Sequence, residues 1–161
     1  MRGITRVSWL VILLSLGMAQ AAPAQDDRPE LKSQLQALMA KMDRAMVDGD
    51  YEAVALFYAD DAVVLPNNSP RIEGREALRT LMEENRKAGV TFGSFTGTVD
   101  RTWECGGMVY AVGSYALSAD VPGLERPVAD KGKTFTVFRR LSNGKLEIVY
   151  DMWNTDIEAG K

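Results

Sequence analysis

The sequence predicts an α+β domain in which three helices come before a meander of long antiparallel strands. In the first half of the chain, apolar residues recur at three- and four-residue spacing. After Gly89 the sequence changes to strand-forming residues. The pairs Gly106-Gly107 and Asn143-Gly144 divide this part in the way that two-residue hairpin turns do. Helices followed by consecutive strands are typical of the α+β class.

Residues 1–24 have the pattern of a secretory signal peptide. Two arginines precede an apolar stretch over residues 9–18, and small residues follow it. Two Ala-x-Ala sites allow cleavage after Ala21 or after Ala24. A membrane anchor is the alternative, but the stretch is shorter than the ~20 apolar residues that span a bilayer. We therefore expect a periplasmic or secreted protein with no membrane attachment once the signal is removed.

The composition excludes several classes of function. The chain carries 19 basic and 22 acidic side chains and a formal net charge of −3, so no basic face is expected to bind nucleic acid or anionic lipid. It contains no histidine, which removes Ser-His-Asp catalysis, histidine-bound zinc and the common proton shuttle near neutral pH. The single cysteine, Cys105, forms no disulfide within the chain. It is either a small strand residue, a free thiol or a link to another chain.

No metal or cofactor site is predicted from the motifs. Asp60 and Asp61 lack the spacing of a calcium-binding loop, and no oxygen-rich cluster follows them in the sequence. A turn that closes the second helix explains this pair better. Because the chain has no histidine, any acid–base chemistry must use carboxylates, tyrosines or lysines.

The helical half begins after a short polar leader, residues 25–30, which we expect to be mobile. The domain follows over residues 31–157. A first amphipathic helix is predicted over residues 30–47, because the apolar positions share one helix face. These positions are Leu31, Leu35, Leu38, Met39, Met42 and Met46.

The next elements are bounded by caps and turn residues. Gly49 fits the C-terminal stop of the first helix, and Asp50 fits the N-cap of a second helix over residues 51–58. A short buried strand is predicted over residues 62–65. A third helix is predicted over residues 74–87, with its apolar residues on one face.

The second half is predicted to contain four long strands. The first two cover residues 91–104 and 108–118. A loop over residues 119–132 follows, since this segment holds two prolines and five charges. The last two strands cover residues 133–141 and 145–153.

Three stretches of the sequence resemble one known superfamily. Gly49-Asp50, followed by Val-Ala-Leu-Phe-Tyr-Ala-Asp-Asp-Ala over residues 54–62, resembles a stretch of the ketosteroid isomerases, and residues 74–78 resemble the start of their third helix. Residues 143–154 resemble the last hairpin of SnoaL-like and domain-of-unknown-function 4440 proteins. The chain therefore resembles the nuclear transport factor 2-like superfamily. This resemblance implies a cystatin-like cone, in which a curved antiparallel sheet packs with three helices around a pocket.

The positions that carry ketosteroid isomerisation in the resembling family are changed in this chain. Counting from the shared motifs, the tyrosine position falls on Met42, the position of the aspartate base on Pro66, and the second donor position on Thr136. Met42 has no hydroxyl, Pro66 has no ionisable group, and Thr136 is only a weak donor. Isomerisation by that mechanism is not expected, and whether the protein is an enzyme stays open.

The resemblance places Asp151 and Trp153 on the pocket side of the last strand. A carboxyl in an apolar cone has a raised pKa, which suits Asp151 to general acid or base catalysis. The alternative is that Asp151 accepts a structural hydrogen bond. Trp153 would stack on a flat ligand. The ligand-binding candidates are Trp153, Thr136, Asn154, Tyr58, Trp103 and Tyr115. One or two of the aromatic residues outside the last strand are expected to reach the pocket, because such residues usually belong to the core.

The last strand has a second face that is uniformly apolar: Leu146, Ile148, Tyr150 and Met152. The pocket face would then carry Glu147, Val149, Asp151 and Trp153. Phe135 and Val137 of the preceding strand would join the outer face. An apolar outer sheet face is explained if it is buried in a homodimer, so we predict a dimer through the convex side of the sheet.

Three hypotheses about function follow. In the first, the cone binds a small apolar molecule outside the cytoplasm without converting it. In the second, the protein is a SnoaL-like isomerase, cyclase or hydrolase with Asp151 as its acid or base. In the third, the fold serves mainly as an oligomerisation domain. The identity of a ligand does not follow from the residues.

Overall fold

A computed structural model describes residues 25–26 and 28–157. The predicted signal peptide, residues 1–24, lies outside the described residues. The elements are β1 (Gln25–Asp26), α1 (Pro29–Asp48), α2 (Tyr51–Ala55), β2 (Tyr58–Leu65), β3 (Ile72–Glu73), α3 (Arg75–Lys87), β4 (Thr91–Cys105), β5 (Met108–Asp120), β6 (Val128–Arg140) and β7 (Leu146–Thr155).

One seven-stranded sheet carries the fold, with the strand order β1-β4-β5-β6-β7-β2-β3. All neighbouring pairs are antiparallel except β2 and β7, which run parallel. Irregularities in strand pairing interrupt β2, β4 and the β6–β7 pair, and such bulges increase the local bend and twist of a sheet. The predicted α+β fold with a curved sheet and three helices is confirmed, and the parallel β2–β7 pair is an addition to it.

Helix α1 follows the predicted amphipathic pattern. Its buried residues include Leu31, Leu35 and Met42, and it ends where Gly49 takes a left-handed conformation with φ of 70°. The side chain of Asp50 then accepts a hydrogen bond from the backbone N–H of Ala53, as expected of the N-cap of α2. None of the helices in the described part of the chain is long and apolar enough to span a membrane.

Polar side chains of α1 hold the helix against the backbone of β4. The Gln36 amide donates to the Gly97 carbonyl and accepts from the N–H of Val99, both at 2.8 Å. Asp43 Oδ2 accepts from the Gly97 N–H at 2.8 Å. These bonds fix α1 over the concave side of the sheet.

Several element boundaries differ from the predictions. Residues 25–30 are predicted as a mobile leader, but β1 pairs with β4 and α1 begins at Pro29. Helix α2 ends at Ala55 because the chain then pairs with β7, where the Phe57 carbonyl accepts from the Ile148 N–H. The predicted loop over residues 119–132 shrinks, since β5 and β6 both extend into it. Backbone pairing between strands overrides the local signals in these places.

Asp60 and Asp61 do not form the predicted turn. Both lie in β2, and both are exposed. Arg75 contacts Asp60 at 2.8 Å, and Arg139 contacts Asp61 at 2.9 Å. Two arginines outside the segment therefore balance these charges, which allows the strand to run through them.

Because of a bulge in β7, side chains in the first half of this strand do not all lie on the predicted face of the sheet. Val137 pairs with Tyr150 but Phe138 pairs with Ile148, so Val149 is an extra residue in β7. Ile148, predicted on the outer face, is only 1% exposed and belongs to the core. A side chain shifts to the other face whenever the register slips by one residue.

After the bulge the predicted faces agree with the structure. Tyr150 is 50% exposed and lies beside Val137 on the convex face, where Met152 lies beside Phe135. Glu147, predicted on the pocket side, forms an ion pair with Arg139 at 2.7 Å.

Candidate functional site

The concave face of the sheet and the three helices enclose a cavity of about 320 Å³. Its wall is mostly apolar. The helices contribute Met39, Met42, Met46, Val54, Leu78 and Met82. Thioether side chains are flexible and adapt to irregular shapes, so this wall can fit ligands of different outline.

The sheet side of the cavity is formed by side chains of neighbouring strands that stand in rows. One such row is Gly113, Thr134 and Trp153, which pair across β5, β6 and β7. A Cβ atom at Gly113 would lie 2.1 Å from the carbonyl oxygen of Thr98 and 3.1 Å from Thr134 Oγ1. Only glycine fits this close approach, so the β5 end of the row carries no side chain.

A cluster of three polar residues, here called the deep cluster, lies at the inner end of the cavity. It consists of Tyr58 from β2, Thr136 from β6 and Asp151 from β7. The Tyr58 hydroxyl donates to Asp151 Oδ2 at 2.8 Å, and the Thr136 hydroxyl donates to Asp151 Oδ1 at 2.9 Å. Asp151 is 7% exposed, and the other two side chains are buried as well. A carboxyl is thus held in a fixed orientation in an apolar surrounding.

Burial dominates the electrostatics of the deep cluster. It raises the pKa of Asp151, and the hydrogen bonds from Tyr58 and Thr136 oppose that rise. Burial, together with the neighbouring Asp151 carboxylate, raises the pKa of Tyr58 well above its usual range. The carboxyl of Asp151 is therefore the acid–base group of the cluster, while Tyr58 stays a neutral donor.

A second cluster of the same composition, the rim cluster, consists of Tyr115 from β5, Asp130 near the start of β6 and Thr155 at the end of β7. The Tyr115 hydroxyl donates to Asp130 Oδ2 at 2.7 Å, and the Thr155 hydroxyl donates to Asp130 Oδ1. Asp130 and Thr155 are only half-buried. Burial raises the pKa of Tyr115, and the hydrogen bond to Asp130 adds to the rise. The ring of Tyr115 lines the cavity, so this cluster positions a wall residue.

Asp43 on α1 is a buried carboxyl that the sequence analysis missed. It is 8% exposed, and its Oδ1 has no hydrogen-bond partner among the described residues. Burial raises its pKa, and the hydrogen bond from Gly97 opposes the rise. The only signal in the sequence is that Asp43 follows Gln36 by seven residues, which places the two on one face of the helix.

The structure brings together five of the predicted site residues. The cavity wall includes Tyr58, Tyr115, Thr136, Asp151 and Trp153, as well as Met42 and Pro66 at the altered catalytic positions. A role for them in binding or catalysis stays a prediction.

Two predicted ligand-binding residues lie elsewhere. Trp103 stacks on Tyr110 with ring centroids 5.5 Å apart, and it also contacts Phe135 on the convex face. Its neighbour Thr102 is the residue that faces the core, since alternate residues of a strand face opposite sides. Asn154 is exposed and is not part of the cavity wall. Trp103 and Asn154 therefore do not line the cavity.

The carboxylates of the described residues do not gather into a metal site. No group of three or more aspartate, glutamate or cysteine side chains within residues 25–26 and 28–157 is arranged to hold a metal ion. The acidic side chains near the cavity are instead bound to hydroxyl or backbone donors.

A sequence model of the SnoaL-like domain matches residues 39–147, which is more than half of the chain. The chain belongs to the SnoaL-like family. The match begins in α1 and ends in β7, so it covers the elements that form most of the cavity wall. No curated protein matches the sequence.

Solved structures share the fold at low sequence identity. A ketosteroid isomerase-like protein from Erwinia carotovora has a TM-score of 0.69 at 13% identity and covers 81% of this chain and 100% of its own. A nuclear transport factor 2-like protein with a cystatin-like fold from Novosphingobium aromaticivorans has a TM-score of 0.57 at 20% identity, with coverages of 81% and 86%. The ActVI-ORFA protein of Streptomyces coelicolor has a TM-score of 0.61 at 12% identity, with coverages of 79% and 98%. These similarities show the nuclear transport factor 2-like fold.

Proposed function

We propose that this SnoaL-like protein is exported and binds a small, largely apolar molecule in its cavity. The observation that carries the proposal is an apolar cavity of about 320 Å³ with one buried carboxyl, Asp151, at its inner end. Small-molecule sites typically combine an apolar wall with a few fixed polar groups that orient the ligand. The signal-like pattern over residues 1–24 supports export.

The test is whether an apolar compound copurifies with the protein. Native mass spectrometry of the mature protein, followed by extraction, should reveal a bound molecule. Thr134→Phe should remove it, because the new ring fills the space beside Trp153. Lys133→Phe is the matched control, since Lys133 is the adjacent exposed residue, and this variant should keep the ligand. Equal occupancy in the two variants, or a protein that binds no apolar probe, would contradict the proposal.

The second candidate is an enzyme in which Asp151 acts as general acid or base. Its support is the position of the carboxyl on the cavity wall together with the rise of its pKa on burial. Asp151→Asn keeps the shape of the side chain but removes the exchangeable proton. Turnover of the extracted compound, or of a close analogue, should then fall by a factor of about 100 or more. Undiminished turnover in this variant would exclude the mechanism.

We also propose that two copies associate through the convex face of the sheet. Trp103, Tyr110 and Phe135 form an aromatic stack there, and Tyr150 and Val112 are exposed beside it. Apolar side chains grouped in this way are typical of an interface. Tyr150→Glu should give a monomer in analytical ultracentrifugation. Gln34→Glu adds the same charge on an exposed position of α1 and should leave the dimer intact. A dimer that survives Tyr150→Glu would show that another surface is used.

A further inference from the structure

We infer that the deep cluster recognises a hydrogen-bond donor, so that the ligand is an apolar molecule ending in a hydroxyl or N–H group. A carbonyl or carboxylate at the same end would be rejected. The inference rests on the proposed binding function and adds the chemistry of the ligand's inner end. It follows from which hydrogens of the deep cluster are already committed to partners.

Both hydroxyl hydrogens of the deep cluster are donated to Asp151. The bonds from Tyr58 and Thr136 end on different carboxylate oxygens, at 2.8 Å and 2.9 Å. An ionised carboxylate accepts hydrogen bonds and donates none, and each hydroxyl has a single hydrogen to give. The three side chains therefore present only lone pairs to whatever occupies the inner end of the cavity.

The carboxylate retains acceptor capacity for at least one more donor. Its two oxygens offer about four acceptor positions in total. Tyr58 and Thr136 fill two of them. A hydroxyl or N–H of a ligand fits a position that is left. Hydrogen bonds to a charged acceptor in an apolar surrounding are among the strong ones.

A ligand acceptor finds no hydrogen-bond donor among the three side chains of the deep cluster. A carbonyl oxygen would meet the oxygens of Tyr58, Thr136 and Asp151 without a hydrogen between them, and burying an unpaired polar group is costly. A carboxylate would add repulsion from a like charge. Farther out on the wall, the Tyr115 hydroxyl is committed to Asp130 and offers no hydrogen to the ligand.

Three bicyclic probes separate the contribution of a ligand's hydrogen-bond donor to affinity from that of its apolar rings. They are 2-naphthol, its methyl ether 2-methoxynaphthalene, and naphthalene, each small enough for a cavity of about 320 Å³. They should bind beside Trp153, and affinities are measured by calorimetry in mildly alkaline buffer, which favours the carboxylate form of Asp151 and leaves 2-naphthol neutral. The wild-type protein should bind 2-naphthol about tenfold or more tightly than either other probe.

Two isosteric variants test whether Asp151 is the acceptor. In Asp151→Asn the amide offers both a donor and an acceptor, so the preference for 2-naphthol should fall to about twofold or less. Asp61→Asn makes the same chemical change on the exposed part of β2, away from the cavity, and should leave the tenfold preference unchanged. A tenfold preference that survives in Asp151→Asn would overturn the assignment.

The outcomes distinguish this inference from the proposed function. Equal binding of 2-naphthol and its methyl ether to the wild-type protein would refute donor recognition while leaving an apolar cavity that binds ligands. Failure of all three probes to bind would refute the proposed function itself. If Asp151→Asn does not fold, acidification of the wild-type protein replaces it. Protonation of Asp151 frees one hydroxyl hydrogen for the ligand, so the preference for 2-naphthol over its methyl ether should become smaller. A preference that does not change on acidification would overturn the inference.

Discussion

The deep cluster and the rim cluster are built from the same three residue types and differ in their surroundings. In each, an aspartate accepts one hydrogen bond from a tyrosine and one from a threonine. Asp151 of the deep cluster is 7% exposed, whereas Asp130 of the rim cluster is half-buried. The same tyrosine and threonine hydrogen bonds therefore form in an apolar cavity in one case and beside water in the other, where Asp130 also accepts from the backbone N–H of Lys131.

The difference shows that surroundings, more than bonding partners, decide what a carboxyl can do. Water at the rim can replace a lost partner and screens the charge, so the rim cluster contributes mainly to the position of Tyr115. In the deep cluster no water replaces a lost partner readily, and the carboxyl keeps a raised pKa. Three experiments test this comparison.

The largest effect is expected from removing each carboxyl. Asp151→Ala leaves the Tyr58 and Thr136 hydroxyls buried without an acceptor, so the free energy of unfolding should fall by about 3 kcal/mol. Asp130→Ala exposes its partners to water and should cost about 1 kcal/mol. Urea denaturation with unchanged m-values measures both. Equal losses would show that the two surroundings do not differ in the way described.

A smaller effect is expected from removing each tyrosine hydroxyl. Tyr58→Phe takes one donor from a buried carboxylate and should lower the free energy of unfolding by about 2 kcal/mol. Tyr115→Phe should cost about 0.5 to 1 kcal/mol, because water can reach Asp130. Both variants keep the aromatic ring, so the cavity wall is preserved. A larger loss in Tyr115→Phe than in Tyr58→Phe would reverse the comparison.

The smallest effect is a difference in how stability depends on pH. Because burial raises the pKa of Asp151 in the folded state, its contribution is full below the unfolded pKa of about 3.9 and is lost as pH rises through the folded pKa. Asp151→Asn should lack this loss. Asp61 is the control of opposite sign, since Arg139 lowers its pKa and its stabilisation is lost as pH falls. Denaturation midpoints across the acid range measure both slopes, and equal slopes would contradict the assignment.

The sequence was sufficient for features that depend on local chemistry. Gly49 and Asp50 end one helix and start the next as their conformational preferences require. The resemblance also placed Asp151 and Trp153 on the cavity side, because the half of β7 after the bulge keeps strict alternation. Both hypotheses for Asp151 drew on a real feature, since it accepts hydrogen bonds and lines the cavity.

Other features depend on contacts that no local pattern contains. The extra residue Val149 changes the face of Ile148, yet the apolar alternation of the segment looks regular with or without it. Trp103 and Tyr115 are both aromatic strand residues, and only the register of the hairpin decides which one faces the cavity. Asp43 was missed because its partner is a backbone N–H far along the chain.

The side chains that α1 directs at β4 also restrict how copies of the protein can join. A strand at the edge of a sheet normally exposes free N–H and C=O groups, onto which a strand of another molecule can add. Here Lys32 binds the carbonyl of Asp100, and Gln36 and Asp43 occupy the backbone groups of Gly97. A strand of another molecule therefore finds these backbone groups already bonded to the side chains of α1. This protects the protein from open-ended, fibre-like growth along that edge and leaves the convex face of the sheet uncovered by the helix.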